Sequence, residues 1–288
     1  MPDASLQPLT TFSRGDLTFD VTDSGPGPDE AVVLLHGFPA DRQCWDEVAM
    51  HLQGAGLRTL APEQRGYSPR ARPSGRRAYT TDELVADVVA LLDAAGLEKA
   101  HVVGHDWGGA VAWAVAGSHR DRVASLTVLS TPHPAALAQA YRTRWQAMHS
   151  SYMAWFQLPW APEALFERTF RPGLIRSGLP RAVAERYLTK MREPGRLTAA
   201  INWYRAMPFS RGSMHRSKVP TTFVWGSEDA FLGRVAAEGT AALVTAEYHF
   251  VELAEGHWLP EVAAGACADE IIARVQSGRS GQSGQSGR

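Results

Sequence analysis

The hexapeptide Gly104-His105-Asp106-Trp107-Gly108-Gly109 stands between an apolar run, His101-Val102-Val103, and an Ala/Val-rich stretch from Ala110 to Ala116. A strand that turns sharply into a helix needs small residues two before and two after the central position, because the crowded turn has no room for larger side chains. Asp106 is the residue such a turn would lift out as a nucleophile. Its identity limits the chemistry. A serine attacking an acyl carbon gives an ester that water cleaves, whereas a serine attacking an sp³ carbon would give an inert ether. An aspartate attacking an sp³ carbon gives an alkyl ester, and the carbonyl that water must then attack belongs to the aspartate itself.

The elements that would position this residue follow from the apolar pattern. Leu9 to Thr22 reads as two short strands around Arg14-Gly15-Asp16, an antiparallel hairpin. Ala31–Leu35, His101–Val103, Leu126–Leu129, Thr222–Trp225 and Phe250–Leu253 are short, nearly continuous apolar runs of the kind found in parallel sheets covered on both faces. Between them, Leu84, Val88, Leu91 and Leu92 share one helical face after Thr81-Asp82-Glu83, and Gly96 predicts the stop. The alternation implies an α/β fold with a doubly wound, mostly parallel sheet. From Thr131 the pattern changes: Leu137, Tyr141, Trp145, Met148, Tyr152 and Phe156 recur at helical spacing, as do Leu197, Ile201 and Tyr204. Prolines 159, 162, 172, 180 and 194 divide this stretch into several short helices, predicted to lie over one sheet edge as a cap. The expected division is therefore a core at 1–130, a helical cap at 131–217, the rest of the core at 218–276, and a flexible Ser/Gly/Gln tail at 277–288.

The chain resembles the α/β-hydrolase family, and within it the epoxide hydrolases, from about Leu9 to Ala273. His36-Gly37-Phe38-Pro39 follows the third strand, where that family places its oxyanion loop, and Gln64-Arg65-Gly66-Tyr67-Ser68 is similar to the family's segment after the next strand. Glu63 departs from the aspartate common there and leaves the catalytic assignment untouched. Asp229, in Trp225-Gly226-Ser227-Glu228-Asp229, and His257, in Gly256-His257-Trp258, complete the family's order of nucleophile, acid and histidine. Glu228 is the alternative acid. The resemblance implies that His257, oriented by Asp229, activates water, and that the backbone N–H groups of Phe38 and Trp107 form the oxyanion hole. It also places His36, Phe38, Trp107, Phe156, Trp203 and Trp258 around the substrate, and implies no cofactor.

Two sp³ leaving groups suit an aspartate nucleophile: an epoxide oxygen, which needs a proton, and a halide, which needs N–H donors. Asn202-Trp203-Tyr204-Arg205 resembles the lid motif of epoxide hydrolases, and Tyr152 resembles the site of their second lid tyrosine. Two phenols opposite Asp106 would grip the opening oxygen, giving a vicinal diol from an apolar or aromatic epoxide. Haloalkane dehalogenases often carry asparagine after His-Gly, where this chain has Phe38. A haloalkane or haloacid dehalogenase is the alternative enzyme, and a non-catalytic ligand-binding protein of the same fold is the alternative class.

Composition sets the outer limits. The 288 residues carry 29 basic and 30 acidic side chains, a net charge of −1, so no strong global field would draw in nucleic acid or an anionic membrane. Neither a signal peptide nor a membrane span is evident, and a cytoplasmic location is the expectation. The expected partner is a small-molecule substrate, with monomer and homodimer both open. Cys44 and Cys267 read as buried thiols in helical stretches. His101 and His105 are four apart, but a strand entering a turn lacks the helix that zinc spacing requires, so no metal is expected. Arg70, Arg72, Arg76 and Arg77, set among Pro69, Pro73, Ser74 and Gly75, read as a solvated loop.

Overall fold

The computed structural model describes residues 7–26, 30–210 and 215–283. The chain opens with β1 (Thr11–Arg14) and β2 (Leu17–Ser24), an antiparallel hairpin turned at Gly15, whose φ is 57°. Then come β3 (Ala31–Leu35), α1 (Asp46–Gly54), β4 (Arg58–Pro62), α2 (Thr81–Ala94), β5 (Ala100–His105), α3 (Trp107–Ser118) and β6 (Val123–Leu129). Six helices follow: α4 (Pro134–Ala140), α5 (Arg144–His149), α6 (Tyr152–Trp155), α7 (Ala161–Arg176), α8 (Arg181–Met191) and α9 (Arg196–Ala206). The chain then forms β7 (Thr221–Gly226), α10 (Arg234–Gly239), β8 (Tyr248–Leu253), α11 (Leu259–Val262) and α12 (Ala264–Ser283). Among the described residues eight strands form one sheet, ordered β1-β2-β4-β3-β5-β6-β7-β8, antiparallel across β1, β2 and β4 and parallel from β4 to β8.

Burial explains the apolar runs. Every residue of β3, β5 and β7 is buried, since helices cover both faces of the sheet. β8 is the exception: as an edge strand it leaves His249 and Glu252 exposed and is not covered like the others. β4 was not apparent as an apolar run because Arg58 begins it. That guanidinium is nonetheless buried, donating to both carboxylate oxygens of Asp23 at 2.9 and 2.7 Å. α2 ends as its sequence predicts. Gly96 adopts φ 67°, its N–H donates to Asp93 O, and Leu97 N–H donates to Leu92 O at 2.9 Å.

The helical segment between β6 and β7 rests on the Gln64–Ser68 turn. Arg65 is buried and holds Asp87 of α2 through two 2.6 Å hydrogen bonds, while its own carbonyl accepts from the Trp203 indole of α9 at 2.9 Å. Tyr67 packs edge-on to Trp203, so this turn seats the helix that carries Tyr204. The arginine loop is only partly the solvated segment expected of it. Arg72 is mostly covered, reaching the carbonyls of Gly66, Tyr67 and Pro194 and the Glu193 carboxylate, and Arg76 and Arg77 lie over the Phe209 ring. These arginines clip the insert to the core. α12 is anchored by buried Cys267, Ala268, Ile271 and Val275 and continues through Ser283, into the stretch expected as a tail. Residues 284–288 lie outside the described residues. Among the described residues no helix is long and apolar enough to cross a membrane.

Replacing Arg65 by Leu should destabilise the fold by about 3 kcal/mol, because Asp87 would keep only Arg14 as a partner in a buried setting. A drop in the urea unfolding midpoint would show it; an unchanged midpoint would mean that Arg65 does not anchor this turn.

Candidate active site

Asp106 sits between β5 and α3 with φ 52° and ψ −123°, backbone angles that a side-chain-bearing residue seldom adopts. Close packing forces this turn. A Cβ on Gly108 would run into the Leu35 carbonyl, and one on Gly37 would meet the Asp106 carboxylate. With glycine at both places, the His36–Pro39 loop lies directly against Asp106, and Phe38 N–H donates to its Oδ1 at 2.7 Å. Trp107 N–H opens α3, where no intrahelical acceptor exists, and Asp106 is the residue that precedes that first turn.

Asp229 and His257 arrive on the loops after β7 and β8. The His257 Nδ1 lies 2.8 Å from Asp229 Oδ2, and its Nε2 lies 3.5 Å from Asp106 Oδ2. Asp229 Oδ1 accepts from the N–H groups of Phe231 and Leu232 at 2.8 and 3.0 Å. Asp229 is buried and Glu228 is exposed, so the carboxylate that meets the imidazole is that of Asp229. Burial by itself would lower the His257 pKa, but Asp229 and Asp106 override it and raise it to about 10. Burial would likewise raise Asp106, yet His257 and the Phe38 N–H hold it below the usual carboxylate value.

Two cavities meet at this point. One, of about 200 Å³, is lined by Phe38, Phe170, Leu174 and Trp258; the other, of about 510 Å³, by Trp107, Leu137, Met153 and Met207. Asp106, Tyr152 and Phe231 line both. Tyr204 lines the smaller cavity, edge-on to Trp107 and Phe38. Burial pushes both phenols well above their ordinary pKa, and the Asp106 charge adds to the shift, so both stay protonated.

Three of the expected pocket residues stand behind the wall instead of in it. His36 is fully buried, edge-on to Tyr67, with Nε2 accepting from Gln64 N–H. Phe156 backs Tyr204 and Phe38, and Trp203 turns its indole N–H to Arg65 O. Helical spacing alone does not separate a wall residue from one that supports it.

A family model for the alpha/beta hydrolase fold matches residues 30–264. The chain belongs to the α/β-hydrolase fold family. It is 37% identical over 243 residues to the AB hydrolase superfamily protein YfhM of Bacillus subtilis, covering 78% of this chain and 82% of that one. It is 31% identical over 293 residues to epoxide hydrolase A of Mycobacterium tuberculosis, covering 85% of this chain and 90% of the relative. It is also 31% identical to human epoxide hydrolase 4, covering 85% and 72%. A solved structure described among novel epoxide hydrolases from metagenomes of hot environments superposes with a TM-score of 0.80 at 26% identity, covering 94% of this chain and 99% of the other.

In this α/β-hydrolase the residues that sequence reasoning missed are Phe170, Leu174 and Phe231 in the walls, and Ser130 and Thr131 after β6. The wall residues sit on the same apolar helical and loop pattern as ordinary core. Because two carboxylates raise the His257 pKa, Asp229→Asn should move its titration midpoint down from about 10, followed by NMR of the ring protons. Glu228→Gln should leave it in place; the reverse pattern would transfer the acid's role to Glu228.

Proposed function

We propose that this chain is an epoxide hydrolase that opens an apolar or aromatic oxirane through an ester on Asp106. The observation that carries the proposal is the pair of protonated phenols, Tyr152 and Tyr204, lining the same apolar cavity as the aspartate. Asp106 attacks one oxirane carbon, the C–O bond breaks, and the leaving oxygen takes a hydrogen bond and then a proton from the phenols. A β-hydroxyalkyl ester and a phenolate result, and the phenolate regains its proton from the His257 imidazolium, which leaves the imidazole neutral. Water then attacks the Asp106 carbonyl carbon while His257 takes its proton, and the oxyanion that forms at Oδ1 is held by Phe38 N–H and Trp107 N–H. Collapse releases the diol, whose new oxygen takes the proton back from the imidazolium, and the proton left on the Asp106 carboxyl passes to His257, restoring the carboxylate beside an imidazolium. Relatives and solved neighbours named as epoxide hydrolases support this reading.

Esterification also switches the base on. In the free enzyme two negative charges hold the imidazole protonated; forming the ester removes the Asp106 charge, so the His257 pKa falls when a neutral imidazole is needed. The two cavities would take the two substituents of the oxirane, the bulkier one in the larger space. A dehalogenase would need N–H donors for a halide in place of phenols, and the residue after His36-Gly37 is Phe38.

His257→Gln separates the half-reactions. On incubation with a reactive epoxide, this variant should retain the intact substrate mass on the peptide spanning Gly104 to Gly109, while Asp106→Ala should show neither adduct nor turnover. In ¹⁸O-labelled water a first wild-type turnover should place the label in Asp106 and not in the diol. Label in the first-turnover diol, with no adduct in the variant, would sink the covalent route, and halide release without diol formation would favour the dehalogenase. In single-turnover experiments, ring opening should be flat above about pH 4, since Asp106 lies below the ordinary carboxylate range. Ester cleavage should instead rise with pH to a plateau, with an apparent pKa below the value of about 10 set by both carboxylates.

A further inference from the structure

Ser130 and Thr131 follow β6 and belong to neither the triad nor the lid. Ser130 is fully buried and has φ 65°, one of three non-glycine residues with positive φ among those described. That twist turns two consecutive side chains toward two different loops. Ser130 Oγ donates to the carbonyl of His257 at 2.7 Å, and Thr131 Oγ1 donates to the carbonyl of Asp106 at 2.8 Å. Both residues are fixed in turn: Ser130 N–H donates to Val224 O of β7, and Thr131 O accepts from the Trp113 indole of α3 at 3.0 Å.

We propose that this dipeptide sets the distance between nucleophile and base, with Ser130 positioning His257 and Thr131 positioning Asp106. The His257 loop follows an edge strand, β8, so it must be tied back toward the interior of the sheet. Ser130 supplies one such tie from the end of β6. The same carbonyl also accepts from His105 Nε2 at 2.8 Å and from Leu259 N–H at 3.0 Å, so the loop stays attached when Ser130 is changed, but loses the donor that faces it from β6. The Asp106 carbonyl has Ala110 N–H as its second donor, at 3.1 Å. Neither Ser130 nor Thr131 carries a charge or takes a proton in the reaction. Their part is to hold the 3.5 Å separation between His257 Nε2 and Asp106 Oδ2 across which water must be activated.

The proposal rests on the covalent reading above and predicts a split between half-reactions that general destabilisation would not give. Ser130→Gly keeps the positive φ without strain and removes the hydroxymethyl group with its hydrogen bond. In rapid-quench mass spectrometry with a reactive epoxide, this variant should form the Asp106 adduct within about twofold of wild type, while the adduct decays about 10- to 100-fold more slowly. Thr131→Val should slow adduct formation by a similar factor, and Thr131→Ser should restore it. Wild-type decay in Ser130→Gly would overturn the proposal, as would equal slowing of both steps in both variants together with a lowered unfolding temperature. A second measurement does not depend on turnover. The His257 Nδ1–H proton, identified by its absence in His257→Gln, should shift or broaden in Ser130→Gly and persist in Thr131→Val. If His257→Gln accumulates no adduct, the covalent reading fails, and an unmoved proton in Ser130→Gly separately removes the positioning role.

Discussion

Two carboxylates face one imidazole inside an apolar enclosure, and the cost of keeping that charge out of water governs the arrangement around it. An ion buried without partners loses several kcal/mol of solvation, so each oxygen must be met by a donor or a cation. Asp229 is met by two backbone N–H groups and by His257 Nδ1; Asp106 is met by Phe38 N–H and the approach of His257 Nε2. These donors are backbone groups and one buried ring, none of which needs to reorganise when charge shifts. The same scarcity of water that makes the carboxylates costly strengthens the N–H groups that would hold an oxyanion.

The lid obeys the same constraint. A lysine or arginine aimed at Asp106 would neutralise it, and that ion pair would have to break before the carboxylate could attack. A phenol avoids the conflict, because burial and the nearby carboxylate keep it neutral and protonated while it still offers a strong O–H donor. The cation closest in sequence to Tyr204 is turned elsewhere. Arg205 is buried against the carbonyls of Phe156 and Leu158 and paired with Glu163, and Gln157 donates to Tyr204 O. The guanidinium thus joins α9 to the stretch that follows Tyr152, binding the two tyrosine segments to each other without entering the cavity.

What could be read from the sequence divides along physical lines. Strand runs, the α2 stop at Gly96 and the elbow at Gly104–Gly109 were legible because sterics and periodicity act locally: positive φ and crowded turns select glycine, and two-sided burial selects unbroken apolar runs. β4 was hidden because its first residue is an arginine whose charge is cancelled by Asp23, thirty-five positions away. His36, Phe156 and Trp203 read as pocket residues because an aromatic ring beside a motif looks the same in sequence whether it forms the wall or backs it. Ser130 and Thr131 carried no signal at all. Their role lies in hydrogen bonds to carbonyls 127 and 25 residues away, and a backbone acceptor leaves no trace in side-chain identity.

The parallel sheet explains why such distant groups converge. Parallel strands end on one side, so the loops after β3, β5, β6, β7 and β8 deliver Phe38, Asp106, Ser130 and Thr131, Asp229 and His257 to a common edge. The helical insert leaves the chain after β6, at that same edge, before the chain crosses to the opposite side of the sheet to enter β7. Its seat, the Gln64–Ser68 turn, lies at the end of β4 on the edge as well. An insert rooted there and clipped down by Arg72 can cover only the face that carries Asp106, so the position of the insertion in the strand order already directs Tyr152 and Tyr204 back over the carboxylate.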